Sequence, residues 1–173
     1  MDCIYRSWVA LQRNELLVLQ YLAKNARSCD SAIAEEIGIS TQAVGKIRKR
    51  LEAEGVIQGY NLRLDPAAIG LGVVVITQLR LPPDILAQED AFRANIVKEP
   101  HVIDCYRLPH GDAHIMMVCA FTTLLDKEES LKAFAKRYPG VHAVSMQTST
   151  WDSVWKNTKK DAYLYTLRGG HAE

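Results

Sequence analysis

The sequence predicts an α+β chain in two parts, a helical N-terminal third followed by a region of alternating strands and helices. Three observations carry this. Apolar residues recur at helical spacing as far as Leu51. Beyond Gly70 the pattern changes to short β-branched runs, of which residues 73–81 are the first. Asp65-Pro66 and Gly70 punctuate the change, since proline and glycine end periodic elements.

In the first part, Leu16, Leu19, Leu22 and Ala23, with Val18 beside them, predict a helix over 15–25. Asp30 is placed to cap a short helix ending at Gly38. Ser40 caps another that runs to about residue 54 and stops at Gly55. The stretch VIQGYNLRLD, 56–65, reads as a strand or wing. In the second part, a strand over 73–81 is followed by a helical stretch from Pro82-Pro83-Asp84 through Phe92 and Ile96, closed by Glu99-Pro100. Residues 101–108 alternate as a strand, Pro109-His110-Gly111-Asp112 is turn chemistry, and 113–121 is a further apolar strand. Asp126 with Glu129 opens a helix ended by Pro139-Gly140, and 141–150 gives the last strand. The order βαββαβ, two similar halves, predicts a four-stranded antiparallel sheet with both helices on one face, a ferredoxin-like arrangement. Residues 1–65, 66–150 and 151–173 are thus expected to form a reader with a hinge, a sheet domain and a tail. The tail's Trp151, Trp155, Tyr163 and Tyr165 suggest packing.

Composition narrows the function. The chain has 173 residues, 48% apolar and 24% charged, which is ordinary for a folded globular protein. No apolar run approaches the ~20 residues of a membrane span, and the first residues lack a secretory pattern. A cytoplasmic protein is expected. Cys3, Cys29, Cys105 and Cys119 lie far apart with no CxxC pair, so reduced thiols and no metal site are expected. The 21 basic and 20 acidic residues leave a net charge of +1, which excludes coating of nucleic acid by overall charge. Yet residues 41–51 hold Lys46, Arg48, Lys49 and Arg50 and no acid.

That block lies in a steric pattern. Ala34, Gly38, Val44 and Ile47, flanked by Ile33, Ile37 and Ile39, match what a helix-turn-helix needs. A small residue permits close crossing, glycine a tight turn, and the aliphatics fix the angle. On a wheel of ~100° per residue, Ile47 and Leu51 fall beside Val44, while Gln42, Lys46 and Lys49 fall opposite, with Gly45 and Arg50 at the edges. Most helical charge runs are only solvated faces. Here the interlocking positions favour contact with double-stranded DNA, because Gln suits adenine and Lys suits guanine or phosphate in the major groove. The candidate DNA-binding residues are Ser40, Thr41, Gln42, Gly45, Lys46, Lys49 and Arg50. Arg48 falls about 40° from Val44 on the same wheel, on the apolar side, and reads as an arginine snorkelling past the core or pairing with an acid.

Residues 11–150 resemble the Lrp/AsnC, or feast/famine, family of transcription regulators. The resemblance rests on Leu11, Val18-Leu19, Leu22, Asn25-Ala26-Arg27, the turn Ala34…Gly38-Ile39-Ser40, Val44 and Arg50-Leu51-Glu52. It continues through Gly55-Val56-Ile57-Gln58-Gly59-Tyr60, Leu64-Asp65-Pro66 and Ile69-Gly70. It implies a winged helix-turn-helix joined by a strand-like hinge to a βαββαβ effector domain that dimerises and often assembles further. It also implies an effector, an amino acid or related molecule, for which Gly111, Asp112 and His114 are the candidate residues. Two departures stand out. The family's arginine-then-aliphatic pair is reversed here as Ile47-Arg48, and His114 stands where the family's turn carries a second acid.

No residue shows the local setting of an activated nucleophile, and His110 and His114 read as turn residues rather than metal ligands. No enzymatic activity and no cofactor are expected. The sirohaem decarboxylases, which resemble the same family, carry a His/Tyr-Asn-x-Trp segment near the first sheet strand; this chain has LGVVVITQLRL there. The expected function is a sequence-specific DNA-binding transcription regulator, acting at least as a homodimer. The alternative is an effector-binding or assembly protein that no longer binds DNA.

Overall fold

The structure, a computed structural model, describes residues 11–154 and 160–167. The chain forms two compact units, residues 1–63 with 157–173 and residues 64–156. The sequence reading placed the boundaries at 65/66 and 150/151.

The first unit contains α1 (Arg13–Lys24), α2 (Asp30–Ile37), α3 (Thr41–Ala53) and α7 (Lys160–Leu167). At the start of α1, the Glu15 carboxylate accepts the Gln12 backbone N–H at 2.8 Å. The expectation that Asp30 caps α2 is corrected, since Cys29 is the N-cap and Asp30 is the first helical residue. Its carboxylate is engaged by Arg48 instead. Gly38 ends α2 at φ 74°, a left-handed conformation that costs only glycine little. Ser40 caps α3 as expected, its hydroxyl accepting the Ala43 N–H at 3.2 Å. Val18, Leu22, Ile33, Ala34 and Val44 form the core, with Ile37, Ile39, Ile47 and Ile57 packed around it. Each fully buried aliphatic is worth about 1.5–3 kcal/mol, enough to lock three short helices that would not be stable alone.

The strand or wing expected over 56–65 forms no ladder. Val56 and Ile57 close back on the Leu51 carbonyl at 2.9 and 3.0 Å, and residues 58–65 are neither helix nor strand. A strand needs a neighbour for its N–H and C=O groups, and no described segment pairs with this one. The tail does pack, through α7 on α1, where the Gln20 amide donates to the Leu167 carbonyl at 2.8 Å. There α1 carries a second stripe, Leu16, Leu19 and Ala23, all half-buried. Tyr163 is exposed. Trp155 and the Tyr165 side chain lie outside the described residues.

The second unit runs β1 (Val73–Arg80), α4 (Pro83–Leu86), α5 (Glu89–Ile96), β2 (Val102–Arg107), β3 (Ile115–Phe121), α6 (Leu124–Arg137) and β4 (His142–Ser149). The strands lie in the order β2-β3-β1-β4, with every neighbouring pair antiparallel. The single helical stretch expected after Pro82 is broken in two at Ala87-Gln88, where Gln88 leaves helical geometry. The start of α6 also differs from expectation. Thr123 is its cap, accepting the Asp126 N–H at 3.1 Å, and Asp126 in turn accepts the Thr122 N–H and hydroxyl. Those bonds, the backbone one foremost, hold the Asp126 carboxyl below its usual value.

One sheet face is buried. Val75 and Leu79 of β1 and Ile115, Met117, Cys119 and Phe121 of β3 pack with Phe92 and Ile96 of α5, Phe134 of α6 and Tyr138 just after it. Thr77 is buried in the same row, and its hydroxyl donates to the Ser145 carbonyl at 3.0 Å, which removes the penalty for burying it. The other face is open only in part, since Val74 and its partner Ala120 are buried on it. Ile76 lies opposite Val118 and Gln147, and Met116 opposite Gln78 and Tyr106, with Ile76 and Tyr106 exposed.

Candidate nucleic-acid interface

The turn from Gly38 to Ser40 sets α3 across α2. Close approach is possible because position 45 is glycine: a Cβ there would stand 3.1 Å from the Asp30 carboxylate. Gly45 therefore faces α2, and its part in the candidate surface is to let the helices meet. Val44 and Leu51 are fully buried on the inner side of α3. Ser40, Thr41, Gln42, Lys46, Lys49 and Arg50 are all exposed.

The four cations of α3 divide into two pairs. Lys46 and Lys49 project outward, and no described residue bonds or ion-pairs with either ammonium. Arg48 turns inward, as its place on the wheel suggested. Its Nη2 lies 2.6 Å from Asp30 Oδ1 and donates to the Ser28 carbonyl at 3.0 Å. Its Nη1 makes a long 3.4 Å bond to the Tyr60 hydroxyl, and the guanidinium lies 5.7 Å from the Tyr60 ring centroid. Arg50, grouped with the DNA-binding candidates, is exposed but also ion-paired within the unit. Its Nη1 lies 2.7 Å from Glu15 Oε1 and its Nε 2.8 Å from Glu54 Oε1. Glu15 is only 2% exposed, so Arg50 balances a carboxylate that burial would otherwise penalise.

Sequence reasoning missed this inner network. Asp30 and Arg48 are 18 positions apart, and Glu15 and Arg50 are 35 apart, so no helical period links either pair. Tyr60 was also missed. Its hydroxyl donates to Glu52 Oε1 at 2.7 Å, and burial together with that bond raises its pKa. The available signal was a stretch, 56–65, with aromatic and aliphatic residues alternating but no strand partner.

In the sheet unit the effector candidates occupy the β2–β3 connection. Gly111 has φ 98°. The Asp112 carbonyl accepts from Arg80 Nε at 2.9 Å, and its exposed carboxylate lies 3.6 Å from the same guanidinium. His114 Nδ1 accepts the Leu81 N–H at 2.9 Å, which leaves the ring's proton on Nε2 in the neutral form. Consecutive residues at the end of β1 thus hold Asp112 and His114, and Gly111 shapes the turn. Among the described residues no group of three metal-ligating side chains forms.

Comparison with known proteins bears on the fold and the kinship of the chain. Residues 11–58 match the family described as winged helix-turn-helix DNA-binding. The HTH-type transcriptional regulator AldR of Mycolicibacterium smegmatis is 37% identical over 107 residues, covering 61% of this chain and 62% of AldR. The chain thus spans somewhat under two thirds of AldR's length. The HTH-type transcriptional regulator LrpA of Pyrococcus horikoshii is 34% identical over 108 residues, covering 62% of this chain and 74% of LrpA. Among solved structures, a transcriptional regulator of Neisseria meningitidis in complex with L-Met superposes with a TM-score of 0.73 at 24% identity, covering 87% of this chain and 95% of that one. An AsnC family transcriptional regulator from Agrobacterium tumefaciens gives 0.72 at 18% identity, covering 86% and 94%. At such identities the structures establish the fold, and the sequence match to LrpA establishes the kinship. The chain belongs to the Lrp/AsnC family of DNA-binding transcription regulators.

Proposed function

We propose that the protein reads specific sites in duplex DNA as a homodimer, with α3 in the major groove. Thr41, Gln42, Lys46 and Lys49 supply the contacts and Ser40 fixes the start of the helix. The observation that carries this is the division of the cations. Arg48 and Arg50 are tied to acids inside the unit, whereas Lys46 and Lys49 stand exposed beside Gln42 on one face. A merely solvated helix needs no such sorting.

One copy offers few contacts, so two reading heads engage half-sites a helical turn or a multiple of it apart. Two features of the chain suit pairing with a second copy. The open sheet face carries Ile76, Tyr106, Met116 and Val118. The stretch 58–65, which forms no β-ladder among the described residues, leaves Tyr60, Leu62 and Leu64 exposed at alternate positions. An amino acid or related small molecule is the proposed effector; the Neisseria relative was solved with L-Met, and the β2–β3 turn with Gly111, Asp112 and His114 is the candidate region here. The regulator is read as non-enzymatic and cytoplasmic; among the described residues no helix is long and apolar enough to cross a membrane, and the relatives are regulators by name.

The test is the salt dependence of binding to a duplex selected by the protein from a random-sequence pool. Affinity should fall on the order of a thousandfold from 50 to 200 mM salt. Replacing both Lys46 and Lys49 by Ala removes four cations from a dimer. The slope of log affinity against log salt should then drop by about 3–4, with affinity down on the order of a hundredfold or more. A double variant that binds like wild type would place the DNA surface elsewhere.

A further inference from the structure

The outward face of α3 can read DNA only if the helix is held at one angle, and the inner side shows what holds it. Arg48 joins three separate pieces of the unit. It meets Asp30 at the start of α2 and the Ser28 carbonyl in the turn before it. Its other amino group meets Tyr60, seven residues beyond the end of α3. Tyr60 then returns to the same helix one turn further along, donating to Glu52 at 2.7 Å. The aromatic ring thus closes over the last turns of α3, with a hydroxyl between an arginine and a glutamate of that helix.

Neither residue is explained by core packing. Tyr60 is 44% exposed, and Arg48 is tied into the unit by an ion pair and hydrogen bonds. Arg48 Nε is buried without a hydrogen-bond partner among the described residues, a cost that the Nη bonds must offset. Nη2 is taken up by Asp30 and Ser28 and Nη1 gives one N–H to Tyr60, so the Arg48 guanidinium is committed mainly to the unit itself. Tyr60 lies on the stretch that leads from the reading unit toward residue 64, where the second unit begins. A shift of that stretch would carry the Tyr60 hydroxyl with it, and so release Glu52 and one arm of Arg48.

We propose that Arg48 and Tyr60 are positioning residues, a latch that sets the angle of α3 and makes it depend on the path of the chain leaving the unit. The latch deepens the DNA-binding reading above and rests on it. It acts through α3 without touching DNA, so its loss lowers discrimination between sites while the count of phosphate contacts stays the same.

The experiment uses Tyr60→Phe and Arg48→Lys in the full chain. The phenylalanine keeps the ring over Arg48 but removes both hydroxyl bonds. The lysine keeps a charge for Asp30 but cannot fork to Ser28 and Tyr60 as well. Without DNA, amide exchange over residues 56–62 should quicken several-fold in both variants, with little change in thermal midpoint. With DNA, the ratio of affinity for the selected duplex to that for a scrambled one should fall about tenfold. The slope against salt should equal that of wild type. Wild-type exchange or a wild-type affinity ratio in Tyr60→Phe overturns the latch. So does wild-type exchange together with a wild-type affinity ratio in Arg48→Lys. If wild type itself fails to prefer any duplex, the DNA reading fails, while the exchange measurement still decides the latch.

Discussion

The two sides of α3 carry the same kind of residue and do opposite work. Lys46 and Lys49 on the outer side are exposed and project away from the protein. Arg48 and Arg50, one or two positions away, are bound to Asp30, Glu15 and Glu54. The chemistry matches the division. A guanidinium can bridge several acceptors in fixed geometry, which suits a structural joint, whereas an ammonium on a flexible stem suits a phosphate or a base edge. Two of the four cations on this helix are thus paired with acids of the same unit.

This contrast can be broken from either side. The largest effect on binding belongs to the Lys46 and Lys49 double variant, with little effect on stability. The largest effect on stability belongs to Arg50→Ala. It leaves the buried Glu15 carboxylate with the Gln12 N–H but no cation, and should lower the midpoint of chemical denaturation. Folded Arg50→Ala should keep the wild-type salt slope; a slope reduced by about two per dimer would return Arg50 to the DNA face.

A second pair of regions sharpens the comparison: the open and covered faces of the sheet. On the covered face, Val75, Met117 and Phe121 are buried by α5 and α6; on the open face, Ile76 is 44% exposed. Ile76→Asp should leave the fold intact and weaken self-association at least tenfold in sedimentation equilibrium. An unchanged dimer would remove this face from the interface. The smallest expected effect is at Asp126, whose carboxyl is held low by the Thr122 N–H and hydroxyl. A lowered native pKa means stabilisation that is present above the unfolded value of about 4 and lost as pH falls through the native one. Asp126→Asn should therefore be less stable than wild type near neutrality and converge with it in acid, as followed by thermal melts across pH.

The helical unit was legible because its core is local. Val18, Ile33, Ala34 and Val44 announce themselves by spacing, and the caps at Gly38 and Ser40 are single-residue signals that bound α2 and α3 within a residue or so. The order of the sheet elements was legible for the same reason, as periods change and turns intervene. The break at Gln88 and the true cap at Thr123 were not, because each depends on backbone geometry that a run of helix-forming residues does not reveal. The stretch 56–65 has the alternation of a strand, but alternation describes side chains and says nothing of whether a partner exists for the backbone. The tail was legible only as something that packs. That α1 carries a second apolar stripe, and that α7 lies on α1, joins residues far apart in the chain.

The sequence by itself determined the two-part layout, the helix-turn-helix, the exposed face of Gln42, Lys46 and Lys49, and the kinship, because these rest on short-range periodicity and on a motif of contiguous residues. Only the tertiary structure decided which acids Arg48 meets and that Arg50 is paired as well, since Glu15, Asp30 and Tyr60 reach α3 from other elements. It alone decided that Gly45 faces Asp30 and that Asp112 and His114 are held by Arg80 and Leu81. It also returned residues 160–167 to the unit where the chain begins. Ion pairs and close approaches are set by distance in space, and one dimension of sequence does not encode that distance.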